Sequence, residues 1–204
     1  MIDDAARFDR FQSAYSSSEP PPWDSGVVPP EVRALVEGSA PLPPSRALDV
    51  GCGTGVSSAY LAANGWQVTG VDWVEAALEQ ARARALAAGL PPDNPRFLRA
   101  DAGAPGFLAD HPPLALWLDV GCLHGFGPAA RTHYAAHAAR LVAPGGTLLL
   151  YAFGPTELDG QAAGLTQADV EALFGAAFAL AAAAHGREAT DETRPSAWYT
   201  LRRR

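Results

Sequence analysis

The sequence predicts an α/β fold with a doubly wound, mostly parallel seven-stranded sheet and helices on both faces. Seven short stretches with strand-like composition alternate with helical patterns along the chain. One of them, Leu114–Val120, is almost wholly apolar, as expected for a strand that is buried on both faces. Another, Ala47–Val50, leads into a glycine-rich loop and then a helical pattern, and this order is typical of ligand-binding α/β units.

The remaining elements follow from periodicity and from helix start and stop residues. We predict the other strands at Gln67–Trp73, Pro95–Asp101, Thr147–Phe153, Phe178–Ala184 and Ala197–Arg202. We predict helices at residues 5–16, 30–38, 56–65, 75–88 and 128–142, and a further helix that Thr166 caps together with Asp169.

The glycine loop reads GCGTG and has glycine at positions 51, 53 and 55. Glycine tolerates positive φ and lets the backbone come close to a ligand. The dinucleotide-binding fingerprint would require a third glycine at position 56, where the sequence has Val56. A nucleotide-triphosphate loop needs GK[ST], and the chain contains no lysine. The loop therefore belongs to a different class of cofactor site.

The motifs around this loop resemble those of the class I S-adenosylmethionine-dependent methyltransferases. The similarity begins with LDVGCGTG and VTGVDW, and it continues through RFLRADAGAP at 96–105, WLDVGCLHGF at 117–126 and LVAPGGTLLLYAFG at 141–154. It covers residues 20–154 well and the last fifty residues loosely. The segment PPWDSGVVPPEV is similar to the small-molecule branch that acts on thiopurines, thiols or halides, and tellurite. The resemblance implies a Rossmann-like domain in which the last two strands form a hairpin, so that one strand is antiparallel.

The resemblance also implies S-adenosylmethionine as the cofactor and assigns residues to it. The glycines would let the backbone approach the methionine part, Asp72 would bind the ribose diol, and Trp73 would form a wall beside the adenine. Asp101 and the Ala102 amide would meet the adenine edge. The full cofactor-binding set is Trp23, Asp49, Gly51, Cys52, Gly53, Gly55, Asp72, Trp73, Asp101, Ala102 and Asp119.

Three members of this set have structural alternatives. Asp49 could orient the glycine loop or contact the cofactor, or it could only cap loop amides. Trp23 could lie against the cofactor or only staple the N-terminal loop to the core. Asp101 could be a turn or helix cap.

The segment DVGCLH follows the fourth strand, at the sheet edge where ligands bind in open α/β folds. We predict Asp119 and His124 as pocket-lining catalytic residues. His124 could take a proton from a nucleophile, or it could be a hydrogen-bonded structural histidine. The segment lacks the acidic or Asn-Pro-Pro-aromatic motif with which the family methylates amines on bases, which argues against a nucleic-acid substrate.

We expect two parts in one domain: residues 1–40 as a helical cover over the pocket, and residues 41–204 as the methyltransferase domain. The face formed by Phe8, Phe11 and Tyr15 predicts a helix at the start of the cover. The alternative is a passive packing helix.

Composition sets further bounds. The net charge of −7 and the pI near 5.1 disfavour nucleic acid as a partner. No run of 18 apolar residues and no signal peptide occur, so we expect a cytoplasmic protein without a membrane span. Cys52 and Cys122 form no CxxC pair, and His133 and His137 have metal-capable spacing but no third ligand nearby. We therefore expect no metal site and a solvent-facing position for both histidines.

These observations predict methyl transfer from S-adenosylmethionine to a small-molecule acceptor, with a thiol or another soft nucleophile as the favoured class. The alternatives are a module that binds the cofactor without catalysis and, less favoured because of Val56, an NAD-dependent oxidoreductase. The oligomeric state stays open.

Overall fold

The computed structural model describes residues 4–17, 19–158, 161–188 and 193–204. The chain divides into two compact units, an N-terminal unit that ends at Ala100 and a C-terminal unit that runs from Asp101 to Arg204. No helix in the described part of the chain is long and apolar enough to cross a membrane.

The helices are α1 (Asp4–Tyr15), α2 (Pro30–Glu37), α3 (Val56–Ala63), α4 (Glu75–Ala87), α5 (Pro128–Leu141) and α6 (Gln167–Phe174). The strands are β1 (Arg46–Val50), β2 (Gln67–Asp72), β3 (Arg96–Arg99), β4 (Leu114–Val120), β5 (Val142–Phe153), β6 (Thr156–Leu158), β7 (Gln161–Ala163), β8 (Phe178–Arg187) and β9 (Pro195–Arg203). A short 3-10 helix, Leu123–Gly125, follows β4.

The N-terminal unit contains three parallel strands in the order β3-β2-β1. Helix α4 packs its alanine and leucine face, Leu78 and Ala81, against Phe97 of β3. Helix α1 packs on the start of α4 through Tyr15 and Ala77. The α1 helix is thereby part of the hydrophobic packing of this unit, and its role as a cover stays a prediction.

The C-terminal unit contains four strands in the order β4-β5-β9-β8. Strand β4 runs parallel to β5, whereas β9 is antiparallel to both β5 and β8. Five of the seven β4 residues are buried, because the strand is covered on both faces. Strands from the two units belong to one seven-stranded mixed sheet, which confirms the predicted α/β fold class and its terminal antiparallel hairpin.

Several element boundaries differ from the sequence prediction, and one hairpin was not predicted. Strand β5 begins at Val142 rather than Thr147. The strand includes Gly145, which has a φ of 78° and was expected to lie before the strand. Strand β3 ends at Arg99 and not at Asp101. The hairpin of β6 and β7 was not predicted, because its strands have only three residues each and carry no clear alternation.

Two glycine-to-alanine variants separate the energetic cost of close packing at Gly55 from the cost of its backbone conformation. Gly55 has a φ of 75°, and a Cβ there would lie 2.8 Å from the Ala81 Cβ; Gly89 has a φ of 70° and open space around it. We expect Gly89→Ala to lower the free energy of unfolding by roughly 1–2 kcal/mol, and Gly55→Ala by roughly 1–3 kcal/mol more. Urea unfolding measures both, and equal losses would contradict the packing argument.

Candidate functional site

The glycine loop of the N-terminal unit follows β1 as a compact turn. Gly51, Gly53 and Gly55 have φ values of 66°, 52° and 75°, a region that other residues rarely adopt. The Cys52 amide donates to the carbonyl of Val71 at 2.9 Å, so the loop is tied to the end of β2. The Cys52 thiol lies half-buried beside the Gly53 carbonyl, at 3.8 Å.

Asp72 at the end of β2 fixes this loop. One carboxylate oxygen accepts from the Gly53 amide and the other from the Val74 amide, both at 2.9 Å. Burial raises the pKa of the Asp72 carboxyl above its ordinary value, and the amide hydrogen bonds oppose that rise. A carboxylate has about four acceptor positions, so Asp72 can hold the loop and still accept from a ligand's hydroxyl groups.

Asp49 lies inside β1 and is almost fully buried. It accepts a 2.6 Å hydrogen bond from the hydroxyl of Ser58 on α3. The carboxylate therefore ties the strand before the glycine loop to the helix after it. Ser58 was missed as a partner, although it is the third residue after the first motif and the third residue of α3.

Helix α1 lies against the glycine loop through Tyr15. A Cβ on Gly53 would lie 2.8 Å from the Tyr15 hydroxyl, so this approach requires glycine. The indole Nε1 of Trp23 donates to the same hydroxyl at 3.0 Å. Burial, and secondarily the charge of Asp72, raises the pKa of Tyr15. The phenol is therefore neutral and can donate its own proton.

Two tryptophans predicted at the cofactor pack on α1. The Trp23 ring lies edge-on to Phe11 at 5.5 Å and remains 40% exposed. The Trp73 ring meets Phe8 at 5.3 Å. Trp23 therefore performs the stapling role that was the alternative for it, and direct cofactor contact by either ring stays a prediction.

A second polar cluster holds the loop that contains Trp23. The Thr54 hydroxyl donates to Asp24 in a short hydrogen bond, and Asp24 also accepts from the Gly26 amide at 2.9 Å. Arg84 of α4 donates to the Thr54 carbonyl at 2.9 Å and to its hydroxyl at 3.1 Å. Thr54 thus links the N-terminal loop, the glycine loop and α4, a connection that sequence reasoning did not find.

The turn after β3 lies in the C-terminal unit. Asp101 accepts from the Gly103 amide at 2.8 Å, and Ala102 is buried. Asp101 is therefore a turn cap, which was its alternative interpretation, and it lies beyond the strand it was expected to end. Contact of Asp101 or the Ala102 amide with an adenine stays a prediction.

Two histidines of α5 hold this turn in place. A ring nitrogen of His133 donates to the Gly103 carbonyl and one of His137 donates to the Ala104 carbonyl, each at 2.9 Å. His137 is buried, with 8% exposure, so its predicted solvent-facing position is wrong. Across the described residues, no group of three or more His, Cys, Asp and Glu side chains could hold a metal ion.

Asp119 near the end of β4 is fully buried and engaged. Its oxygens accept from the amides of Cys122 and Leu123, at 2.7 and 3.0 Å, and from the Tyr134 hydroxyl at 2.6 Å. Burial raises the pKa of Asp119 to about 6 against the effect of these bonds. Because the side chain has no exposed surface, it shapes the turn after β4 rather than presenting a catalytic carboxylate.

His124 lies in the 3-10 helix that this turn leads into. It is 6% exposed and stacks on Phe153 with ring centroids 4.1 Å apart. Burial, together with the nearby charges of Arg131 and Arg194, lowers the pKa of His124 to about 3. The imidazole is therefore neutral at physiological pH and is a weak base.

The structure brings some predicted residues together within each unit. In the N-terminal unit, the glycine loop, Asp72 and Trp23 meet around Tyr15; in the C-terminal unit, Asp119 and His124 bracket one short segment. The residues that sequence reasoning missed share one feature: their hydrogen bonds or close contacts join separate helices, strands or loops. They are Tyr15, Ser58, Thr54, Arg84, Arg131 and Tyr134.

Removing the Thr54 hydroxyl should loosen the N-terminal loop that contains Trp23. Thr54→Val removes the hydroxyl that bridges Asp24 and Arg84, and we expect a loss of about 1 kcal/mol in the free energy of unfolding. Amide hydrogen exchange over residues 20–29 should become faster. Thr54→Ser keeps the hydroxyl and is the matched control; equal exchange in the two variants would show that the bridge does not hold this loop.

The raised pKa of Asp119 predicts that the free energy of unfolding changes with pH. Its pKa rises from an ordinary 3.8 to about 6 on folding, so the folded protein keeps a proton that the unfolded chain has released. This contribution is present at pH 4 and is lost as the pH rises through 6. Relative to Asp119→Asn, the wild type should lose up to roughly 3 kcal/mol between pH 4 and 7. Urea unfolding measures this difference, and a pH-independent value would refute the raised pKa.

Comparison with known proteins identifies the segment that contains the glycine loop. Residues 47–146 match the family described as methyltransferase domain. Over 115 residues the chain is 37% identical to the ubiquinone biosynthesis O-methyltransferase of Paracidovorax citrulli, a match that spans 54% of this chain and 44% of that protein. Over 50 residues it is 50% identical to the S-adenosyl-L-methionine-dependent Diels-Alderase iccD of Talaromyces variabilis, spanning 24% of this chain and 17% of that protein.

A solved structure matches the chain over most of its length. The fold is similar to that of the Burkholderia thailandensis 1,6-didemethyltoxoflavin-N1-methyltransferase, solved with 1,6-didemethyltoxoflavin and S-adenosylhomocysteine bound. The TM-score is 0.78 at 24% identity, over 98% of this chain and 88% of that one. The matches to the curated relatives span less than half of those proteins' own lengths. The match to a methyltransferase domain therefore spans about half of the chain, from β1 into β5.

Proposed function

We propose that the protein transfers a methyl group from S-adenosylmethionine to a small-molecule acceptor by in-line displacement at the methyl carbon. The observation that carries this proposal is the Asp72 carboxylate, which holds the glycine loop by the Gly53 amide inside the segment that matches the methyltransferase family. In open α/β folds, an acidic side chain at the end of the strand beside a glycine loop binds the ribose hydroxyls of a nucleoside.

The residues of the N-terminal unit fit this cofactor. The three positive-φ glycines leave the loop backbone without side chains, Asp72 retains acceptor positions for two ribose hydroxyls, and the neutral Tyr15 hydroxyl can donate to an anionic group. Bound S-adenosylmethionine would supply a sulfonium-activated methyl group. Asp49 and Cys52 keep the loop in place, and Trp73 remains our proposal for the adenine wall.

The protein's remaining task is alignment. Proximity and orientation can supply roughly 7–11 kcal/mol of a displacement barrier. His124 has a lowered pKa, so it is a poor proton acceptor for an alcohol or amine. We therefore propose an acceptor that needs little deprotonation, with a thiol as the favoured nucleophile. The roles of Asp119 and His124 are then to shape and to line the acceptor side, rather than to act as a strong base.

Binding of the cofactor without methyl transfer is the second candidate. The similarity to an S-adenosyl-L-methionine-dependent Diels-Alderase favours it, because a Diels-Alderase catalyses a cycloaddition and not a methyl transfer. Formation of S-adenosylhomocysteine with a panel of thiols, phenols and amines distinguishes the two candidates. Methyl transfer requires it, and a binding module produces none.

Asp72 is the residue whose change tests the cofactor assignment. S-adenosylmethionine and S-adenosylhomocysteine should each raise the wild-type melting temperature by roughly 5–10 °C at about 100 times their Kd, and NAD should not. Asp72→Ala should abolish these shifts, because it removes the ribose acceptor and loosens the glycine loop. Asp93→Ala, in an exposed turn, is the matched control and should keep them. Unchanged affinity in Asp72→Ala would remove the ribose assignment, and a shift with NAD alone would overturn the cofactor.

A further inference from the structure

A cluster of aromatic rings lies at the carboxyl ends of β4 and β5 in the C-terminal unit. His124 follows β4, Phe153 ends β5, and their rings stack at 4.1 Å with an angle of 30°. The Tyr151 ring stands edge-on to Phe153 at 5.9 Å. We call His124, Phe153, Arg131 and Arg194 the acceptor shelf.

Two guanidinium groups give the shelf a positive character. The Cζ atom of Arg194 lies 4.8 Å from the Phe153 centroid, and its charge is shared with Glu188 in a 2.9 Å ion pair. Arg131 donates through one terminal nitrogen to the carbonyls of His124 and Gly164, at 2.9 and 3.0 Å. Both arginines act on His124, whose pKa they help to lower, so the imidazole adds no charge of its own.

The shelf has two buried polar atoms without a partner among the described residues. They are Nδ1 of His124 and Nε of Arg131. Buried polar atoms in folded proteins nearly always have hydrogen-bond partners, so such a pair requires an explanation. The Arg131 Nε–H can only donate, and a neutral imidazole can donate from Nδ1. An oxyanion can accept from donors of this kind and also matches the guanidinium charge.

We propose that the acceptor shelf binds an anionic group of the acceptor, such as a carboxylate, which accepts from Arg131 and His124. This inference rests on the proposed function, since it names the acceptor class for that methyl transfer. Arg131 and His124 are then the residues that select the acceptor, and the nucleophilic atom is a separate part of the same molecule.

Matched thiols test the selection. 4-Mercaptobenzoate and its methyl ester share the thiol and differ in the charge. With the wild type, kcat/KM for S-adenosylhomocysteine formation should be at least about tenfold higher for the acid, and the difference should lie mainly in KM. Arg131→Gln should lower kcat/KM for the acid more than for the ester, so that the preference for the acid is lost. Equal kcat/KM for acid and ester in the wild type would overturn the proposal.

The control is a second arginine on the same helix. Arg140 also donates to backbone carbonyls, those of Phe107 and Ala109 at 2.6 and 3.0 Å, and neither of these acceptors belongs to the shelf. Arg140→Gln should keep the preference for the acid. Loss of the preference in both variants would assign it to helix packing rather than to Arg131, and would also overturn the proposal.

Binding of benzoate separates this inference from the proposed function and needs no variant that might fail to fold. Benzoate should raise the melting temperature of the wild type, with or without S-adenosylhomocysteine, and benzamide should raise it less. Equal effects of the two, or none from either, would refute the anionic class. Absence of any shift with the S-adenosyl compounds would instead refute the proposed function, while the comparison of benzoate with benzamide would still decide the shelf.

Discussion

The N-terminal unit depends on one interaction, the hydrogen bond between the Asp72 carboxylate and the Gly53 amide. A buried carboxylate is costly unless amides solvate it, and the glycine loop supplies one of those amides. The loop in turn can bend toward Asp72 only because its glycines adopt positive φ. The absence of a side chain at Gly53 also lets the Tyr15 hydroxyl approach, so the position of α1 follows from the same constraint.

The C-terminal unit uses the same physical solution at β4. Asp119 is desolvated near the strand end, and the amides of Cys122 and Leu123 compensate, with the Tyr134 hydroxyl as a third donor. The turn that results delivers His124 to Phe153. In both units an aspartate close to the carboxyl end of a strand accepts hydrogen bonds from nearby backbone amides and so fixes a turn or loop.

These contacts give several residues roles that differ from those expected from the sequence. Asp119 is a positioning residue, because all of its surface is buried. His124 is kept neutral, so an acceptor with an acidic nucleophile suits it better than one that must lose a tightly held proton. His133 and His137, whose spacing could have indicated a metal, instead clamp the carbonyls of Gly103 and Ala104. Their function is to fix a turn.

The sequence by itself determined the features that depend on neighbouring residues: the α/β alternation, the buried β4, the bend of GCGTG and the Thr166–Asp169 capping box of α6. Such features are encoded by local periodicity, glycine conformation and short-range hydrogen bonds. Only the tertiary structure decided that Tyr15 meets Gly53, that His137 is buried and that Arg131 holds the carbonyl of Gly164. The contacts of Tyr15 with Gly53, of His137 with Ala104 and of Arg131 with Gly164 each join residues more than thirty positions apart. No local pattern specifies which distant backbone group a polar side chain will reach.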